Sequence, residues 1–196
     1  MRGLLKLSGA IDWLNTLVGK WVIWLILGST LISGINAAVR KAFNTSSNAY
    51  LEVQWYLFAA AFLLASGYTL LQGEHVRIDV IASRLSKRKQ IWIDVIGFTF
   101  FLMPMCIVIL WFAVPFFLQG FRSGEVSSNA GGLIRWPVYL MMPLGFILLL
   151  LQGISELVKR IAFLMGLIPD PTAKAEGKSA EEELAEEIRR QAEAKA

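Results

Sequence analysis

His75, Arg77 and Asp79 stand at alternate positions in Gly73-Glu-His-Val-Arg-Ile-Asp79, the sharpest polar motif in the sequence. A histidine among charged neighbours can move a proton or help to hold a metal, but both chemistries need company. His75 is the single histidine and Cys106 the single cysteine. Neither a zinc centre nor a Ser-His-Asp device assembles from that inventory, and no intrachain disulfide or redox relay is available. The cluster therefore reads either as a fixed polar group that orders a turn or meets a partner, or as basic residues lying against anionic lipid, worth about 1 kcal/mol per cation. A second polar run, Ser123-Gly-Glu-Val-Ser-Ser-Asn-Ala-Gly-Gly-Leu133, offers Ser123, Glu125 and Ser127 to cap a helix or contact an external protein. A third set, Glu52, Asp94 and Glu156 with Gln54, Gln72, Gln119 and Gln152, lies at the borders of apolar stretches. There it suits hydrogen bonding between helices or across subunits better than binding of a driving ion.

What must position these residues is a membrane. A helix needs roughly 20 apolar residues to cross about 30 Å of hydrocarbon, and Trp21 to Ala38, Val53 to Leu71, Ile91 to Leu118 and Trp136 to Phe163 meet or approach that length. Hydrophobic residues make up 56% of the chain and its mean hydropathy is +0.55. No Asp, Glu, Lys or Arg lies near the middle of any stretch. Intramembrane charges usually mark ion, proton or substrate pathways, and secondary transporters usually show internal repeats. With neither feature, the chain reads as a partner of a transport machine without a buried ionic site of its own.

Charge sets the expected topology. The formal net charge is +4, yet from Asp170 onward eight acidic residues face five basic ones, so the basic excess belongs to the membrane portion. The basic pI is accordingly no sign of a nucleic-acid partner. Of the 19 Lys and Arg, fifteen lie before the first stretch, between the second and third, or in and beyond the last turn of the fourth (Lys159 and Arg160 onward), and four lie in the other two loops. Because cytoplasmic loops collect Lys and Arg, both termini are expected in the cytoplasm, with Arg40 and Lys41 as a mild exception.

Leu4, Leu7, Ile11, Leu14 and Val18 recur every three or four residues with Lys6, Ser8, Asp12 and Asn15 between them, which predicts an amphipathic interfacial helix over residues 1–20. No small-residue cleavage signature follows, so the first span is expected to stay as a signal anchor. The four-helix membrane domain is expected over residues 21–168, with spans at about 21–39, 53–72, 91–118 and 136–163. Ile78, Ile81, Ala82 and Leu85 predict a second amphipathic helix between spans two and three. Ala59, Ala60, Ala61, Ala65, Ser66 and Gly67 give span two a face for close helix approach. Span three would measure about 42 Å if straight, so it must tilt, bend or protrude, and Pro104, Pro115 and Pro143 are bending points. Residues 169–196 form an acidic tail with a marginal helix, in which Ser179 and Glu182 have capping-box spacing.

The order of these features resembles the small membrane subunit, of DctQ type, of tripartite ATP-independent periplasmic (TRAP) transporters. The likeness spans about residues 10–165. It rests on His75-Val-Arg77-Ile-Asp79 after span two, Gly124-Glu125, Ser127 and Gly131-Gly132-Leu133 before span four, Glu52 and Gln54-Trp55 opening span two, and Gln152-Gly153 in span four. Phe58-Ala-Ala-Ala61 departs from it, where many relatives carry a glycine. The resemblance implies an all-α, four-span subunit of the bacterial inner membrane that is not an enzyme and holds no cofactor. Its partners would be the large membrane subunit (M type), which carries the substrate and sodium sites, a periplasmic substrate-binding protein (P type), and phospholipid. Glu52, Gln54, Trp55, His75, Arg77, Asp79 and Gln152 are then candidates for subunit or lipid contact, and Ser123, Glu125 and Ser127 for contact with the binding protein. The expected role is a static scaffold for sodium-coupled uptake of a small organic acid. The alternatives are a self-contained oligomeric exporter or channel, which would need a polar pore face, and a quinone-linked membrane enzyme, which one cysteine and one histidine ill support.

Overall fold

Helical hydrogen bonding runs on through polar residues until a left-handed residue stops it, as at Asn44, Gly73 and Gly124, so helices here outrun their apolar cores. A computed structural model describes residues 1–44, 47–73 and 85–171. Within them the chain is all-α: α1 is Arg2–Phe43, α2 Asn48–Gln72, α3 Lys87–Ser123 and α4 Trp136–Leu164. All four are long and apolar enough to cross a membrane. His75, Arg77, Asp79, most of the expected helix between spans two and three, and the tail helix around Ser179 and Glu182 lie outside the described residues.

The segment read as an interfacial helix over residues 1–20 continues unbroken into the first span, since no proline interrupts Arg2–Phe43. That helix of 42 residues extends about 63 Å and ends at Asn44, whose φ of 51° turns the chain out of the helical path. Likewise α2 begins at Asn48, ahead of its apolar run, and α3 extends beyond Ile91 and Leu118 at both ends. Of the three expected bending points, Pro104 is the one with a visible departure from α-helical geometry beside it: a π-turn over Phe98–Leu102 precedes it, in which the Met103 N–H donates to the Phe98 carbonyl.

The helices run alternately up and down. One end of the bundle gathers the start of α1, the end of α2, the start of α3 and the end of α4; the other carries the 124–135 loop. Helix α4 packs against α1, α2 and α3 and is the hub of the bundle. Lipid tails are as apolar as leucine, so apolar surface alone does not drive helices together, and small residues are what permit dispersion contact. Gly145 of α4 lies against the backbone of α2, where an added Cβ would stand 2.6 Å from the Leu63 carbonyl oxygen. Gly67 of α2 lets Asn15 of α1 and the Leu148 carbonyl of α4 meet over it. The small-residue face of span two thus receives α1 and α4, with Ala60 and Ala61 also buried. Leu70, Cys106 and Leu149 form the apolar core where α2, α3 and α4 converge.

Gly145→Ala should therefore cost about 1–3 kcal/mol, the usual range for overpacking a tight contact, while Gly34→Ala, with no neighbouring atom within 4 Å, should be neutral or slightly stabilising. Reversible unfolding in detergent micelles compares the two; equal stability would refute the close-packed α2–α4 contact.

Candidate functional site

Polar side chains removed from water must find partners, and in this bundle the buried ones gather at its two ends, where among the described residues the Asn15 carboxamide oxygen alone is left without a hydrogen bond. At the loop end, Glu52 sits one turn into α2 with 3% of its surface exposed. Its carboxylate accepts hydrogen bonds from the Ser127 hydroxyl, from Asn129 Nδ2 at 2.8 Å and from the Leu133 backbone N–H at 2.7 Å. Three donors from one loop converge on one carboxylate, so the loop takes its shape from a side chain of a different helix. Asn48 Nδ2 donates to the Ala130 carbonyl at 3.3 Å and the Tyr56 hydroxyl to the Ile134 carbonyl at 3.2 Å, extending the seam along α2. Gly132 packs into the same turn, where a Cβ would meet the Ser127 side chain at 2.6 Å. An antiparallel bridge between Val126 and Ile134 closes the loop.

Glu125 pairs with Arg135 at 3.0 Å and accepts from the Tyr139 hydroxyl at 3.2 Å. The Tyr139 hydroxyl first, and Glu125 after it, raise the Arg135 guanidinium above its ordinary pKa. Ser123 donates to the Gly120 carbonyl at the end of α3. Of the three outer-loop candidates, Glu125 and Ser127 are thus engaged within the chain, and between them the side chain of Val126 is 56% exposed.

At the opposite end the centre is Gln152, which has no exposed surface. Its carbonyl oxygen accepts from Asn15 Nδ2 at 2.9 Å, and its amide donates to Asp12 at 2.8 Å and to Glu156 at 3.1 Å. Ser155 donates to Asp12 at 2.7 Å and lies 2.6 Å from the Ser8 hydroxyl. Lys159 bridges Asp12, at 3.1 Å, and Glu156. Arg160 pairs with Glu156 on its own helix and with Asp94 of α3 at 2.9 Å, and its guanidinium lies 4.6 Å from the centre of the Phe98 ring. Arg160 and Glu156 are 3% and 6% exposed. The expectation of a chain without a buried ionic site is corrected here: charges are absent from the middle of the spans, but a buried ionic network ties α1, α3 and α4 together at one end.

The remaining sequence candidates are not drawn into either cluster. Trp55 is 62% exposed on the outside of α2, and the backbone carbonyl of Gln54 accepts from the Ser29 hydroxyl of α1 at 3.2 Å. Sequence reading did not connect Asp12 and Asn15 with Gln152, nor Asp94 with Arg160. The available signal was spacing. Ser8 and Asp12 stand four apart on α1, as do Gln152, Glu156 and Arg160 on α4, which places two polar stripes on helix faces with no water to receive them. Both clusters bind helix to helix or loop to helix, and every donor named in them is directed at an acceptor of the same chain. Their chemistry is structural cohesion.

Two expectations follow. Removing one partner of a buried ion pair strands the other charge at a cost of about 3–5 kcal/mol, so Glu156→Gln should destabilise strongly and Glu156→Gln with Arg160→Met should recover much of the loss. A double-mutant cycle in micelles that gave additive losses would show the pair to be uncoupled. Glu52→Gln places an amide against three donors and should speed hydrogen exchange at the Leu133 amide by about tenfold or more, the equivalent of one lost charged hydrogen bond; unchanged exchange would mean that the loop holds without the carboxylate.

Comparison with known protein families matches residues 29–163 to the family described as Tripartite ATP-independent periplasmic transporters, DctQ component. No curated protein and no solved structure matches the chain. The match covers most of the chain, from the last third of α1 through α4, and the chain has four helices able to span a membrane. The chain belongs to the DctQ family, as a small membrane subunit of a TRAP transporter.

Proposed function

We propose that this DctQ-family chain is the static scaffold of its transporter: it binds the large membrane subunit and supports sodium-coupled, binding-protein-dependent uptake of a small organic acid. The observation that carries the reading is the contrast between the interior and the surface of the bundle. Inside, α4 is tied to α1, α2 and α3 by glycine contacts and buried polar bonds. Outside, the spans present large apolar side chains such as Phe62, Phe101 and Trp111, each more than 70% exposed. A body fastened at both ends suits bracing a moving neighbour, and an apolar exterior suits contact with lipid and with another membrane protein. Substrate and sodium belong, on this reading, to the large subunit.

The charge asymmetry of the loops supports a bacterial inner-membrane placement with both termini cytoplasmic. The 124–135 loop then faces the periplasm and the substrate-binding protein. Because Glu125 and Ser127 are engaged within the chain, their part in such contact is to fix the loop, and Val126 is the side chain offered outward. His75, Arg77 and Asp79 are assigned to the cytoplasmic surface, against phospholipid or the large subunit.

Deleting this chain while keeping the large subunit and the binding protein should abolish uptake of the transported acid by intact cells. Full uptake without it would refute the scaffold requirement. Val126→Asp should leave the two membrane subunits assembled while raising the binding-protein concentration needed for half-maximal uptake in proteoliposomes; an unchanged requirement would remove Val126 from the contact.

A further inference from the structure

Tryptophan prefers the membrane boundary, where its ring is buried and its N–H meets water or headgroups. Six of the seven tryptophans obey this rule, each within four residues of a charged side chain: Trp13 beside Asp12, Trp21 and Trp24 after Lys20, Trp55 after Glu52, Trp92 before Asp94 and Trp136 after Arg135. Trp111 does not. Its nearest charged residue along the chain is Arg122, eleven positions away, or about 16 Å along a helix, half the thickness of the hydrocarbon layer. At 76% exposure it is the most exposed large apolar side chain among the described residues, and its indole N–H finds no acceptor among them.

A second polar group at the same level has lost its usual partner. Pro115 is inside the helix and has no N–H, so the carbonyl four residues earlier, that of Trp111 itself, loses its usual intrahelical donor. One residue deep in the span thus carries an exposed indole donor and a carbonyl released from its usual helical bond. Acyl chains can satisfy neither, and open polar groups in hydrocarbon are costly. Below Trp111 the same face continues into a shallow groove lined by Pro115, Leu118, Gln119 and Arg122.

We infer that the outer face of α3 around Trp111 is the seat of a transmembrane helix of the large transporter subunit, one that brings a hydroxyl or carboxamide side chain to the bilayer centre to accept from the indole N–H and donate to the Trp111 carbonyl. The inference rests on the scaffold reading above, because the family is a component of a tripartite system and a membrane partner is therefore required. A side chain that is both donor and acceptor matches that pair, and the groove beside it gives a helix room to lie along α3.

The test uses the whole transporter in its native membrane. A photoreactive p-benzoylphenylalanine is placed at Trp111 or, for comparison, at Phe62, which is 74% exposed on α2; after illumination the tagged chain is purified and its adducts identified. Adducts with the large subunit from position 111 and not from position 62 are expected. If the large subunit co-purifies but gives no adduct at 111, or gives equal adducts from both positions, the α3 assignment falls and the scaffold reading stands. An adduct between two copies of the chain would overturn the assignment in favour of self-association. Absence of the large subunit from every gentle purification would overturn both. Trp111→Phe keeps the ring and removes the N–H, so it should weaken the subunit complex in detergent by about threefold to twentyfold, the range for one intramembrane hydrogen bond. The same change at Trp24 should leave it as in the unaltered protein, and a Trp111→Phe complex of undiminished affinity would remove the indole from the contact.

Discussion

A carboxamide with no exposed surface has to be met on every side, and Gln152 imposes that requirement on α1 and α4 together. Its oxygen calls for Asn15 and its amide for Asp12 and Glu156, which fixes the rotation of α1 relative to α4. Once α1 is turned so that Asn15 faces inward, that side chain occupies the space over Gly67, which in turn fixes α2. Glu156 then faces Arg160, and Arg160 reaches Asp94 and the Phe98 ring on α3. A side chain at one level of one helix therefore sets the register of the other three.

The same logic runs in the opposite direction at the loop end, where the carboxylate of Glu52 gathers Ser127, Asn129 and Leu133. The two clusters act on different links of the structure. One ties helices together and the other ties a loop to a helix. Between them lies a layer without Asp, Glu, Lys or Arg, in which contact is made through Gly145, Gly67 and the small core of Leu70, Cys106 and Leu149. This division follows from the solvent: in hydrocarbon, polar bonds and close packing must supply the cohesion that water would otherwise supply by expelling apolar surface.

For a transporter component, the consequence is a stiff body. Moving α1 or α3 away from α4 would strand buried charges and amides, so small displacements carry a large penalty and the bundle resists deformation when a neighbour moves. Its outer faces carry no such internal commitments. The exception is the level of Trp111, where the indole N–H finds no acceptor among the described residues and Pro115 withholds the usual helical donor from the main-chain carbonyl.

The sequence by itself determined the number of helices, their approximate spans and the family, because each depends on local quantities: the length of apolar runs, the positions of Lys and Arg, and short ordered motifs. It also marked Glu52, Glu156 and Gln152 as bonding groups at span borders. It did not disclose which groups they bond, because Ser8 and Ser155, or Glu52 and Leu133, are distant in sequence and meet only when antiparallel or looped segments are brought side by side. Tertiary structure decided the buried ionic network and the loop clasp, because the burial of a charge is a property of what packs against it and no single helix contains that information.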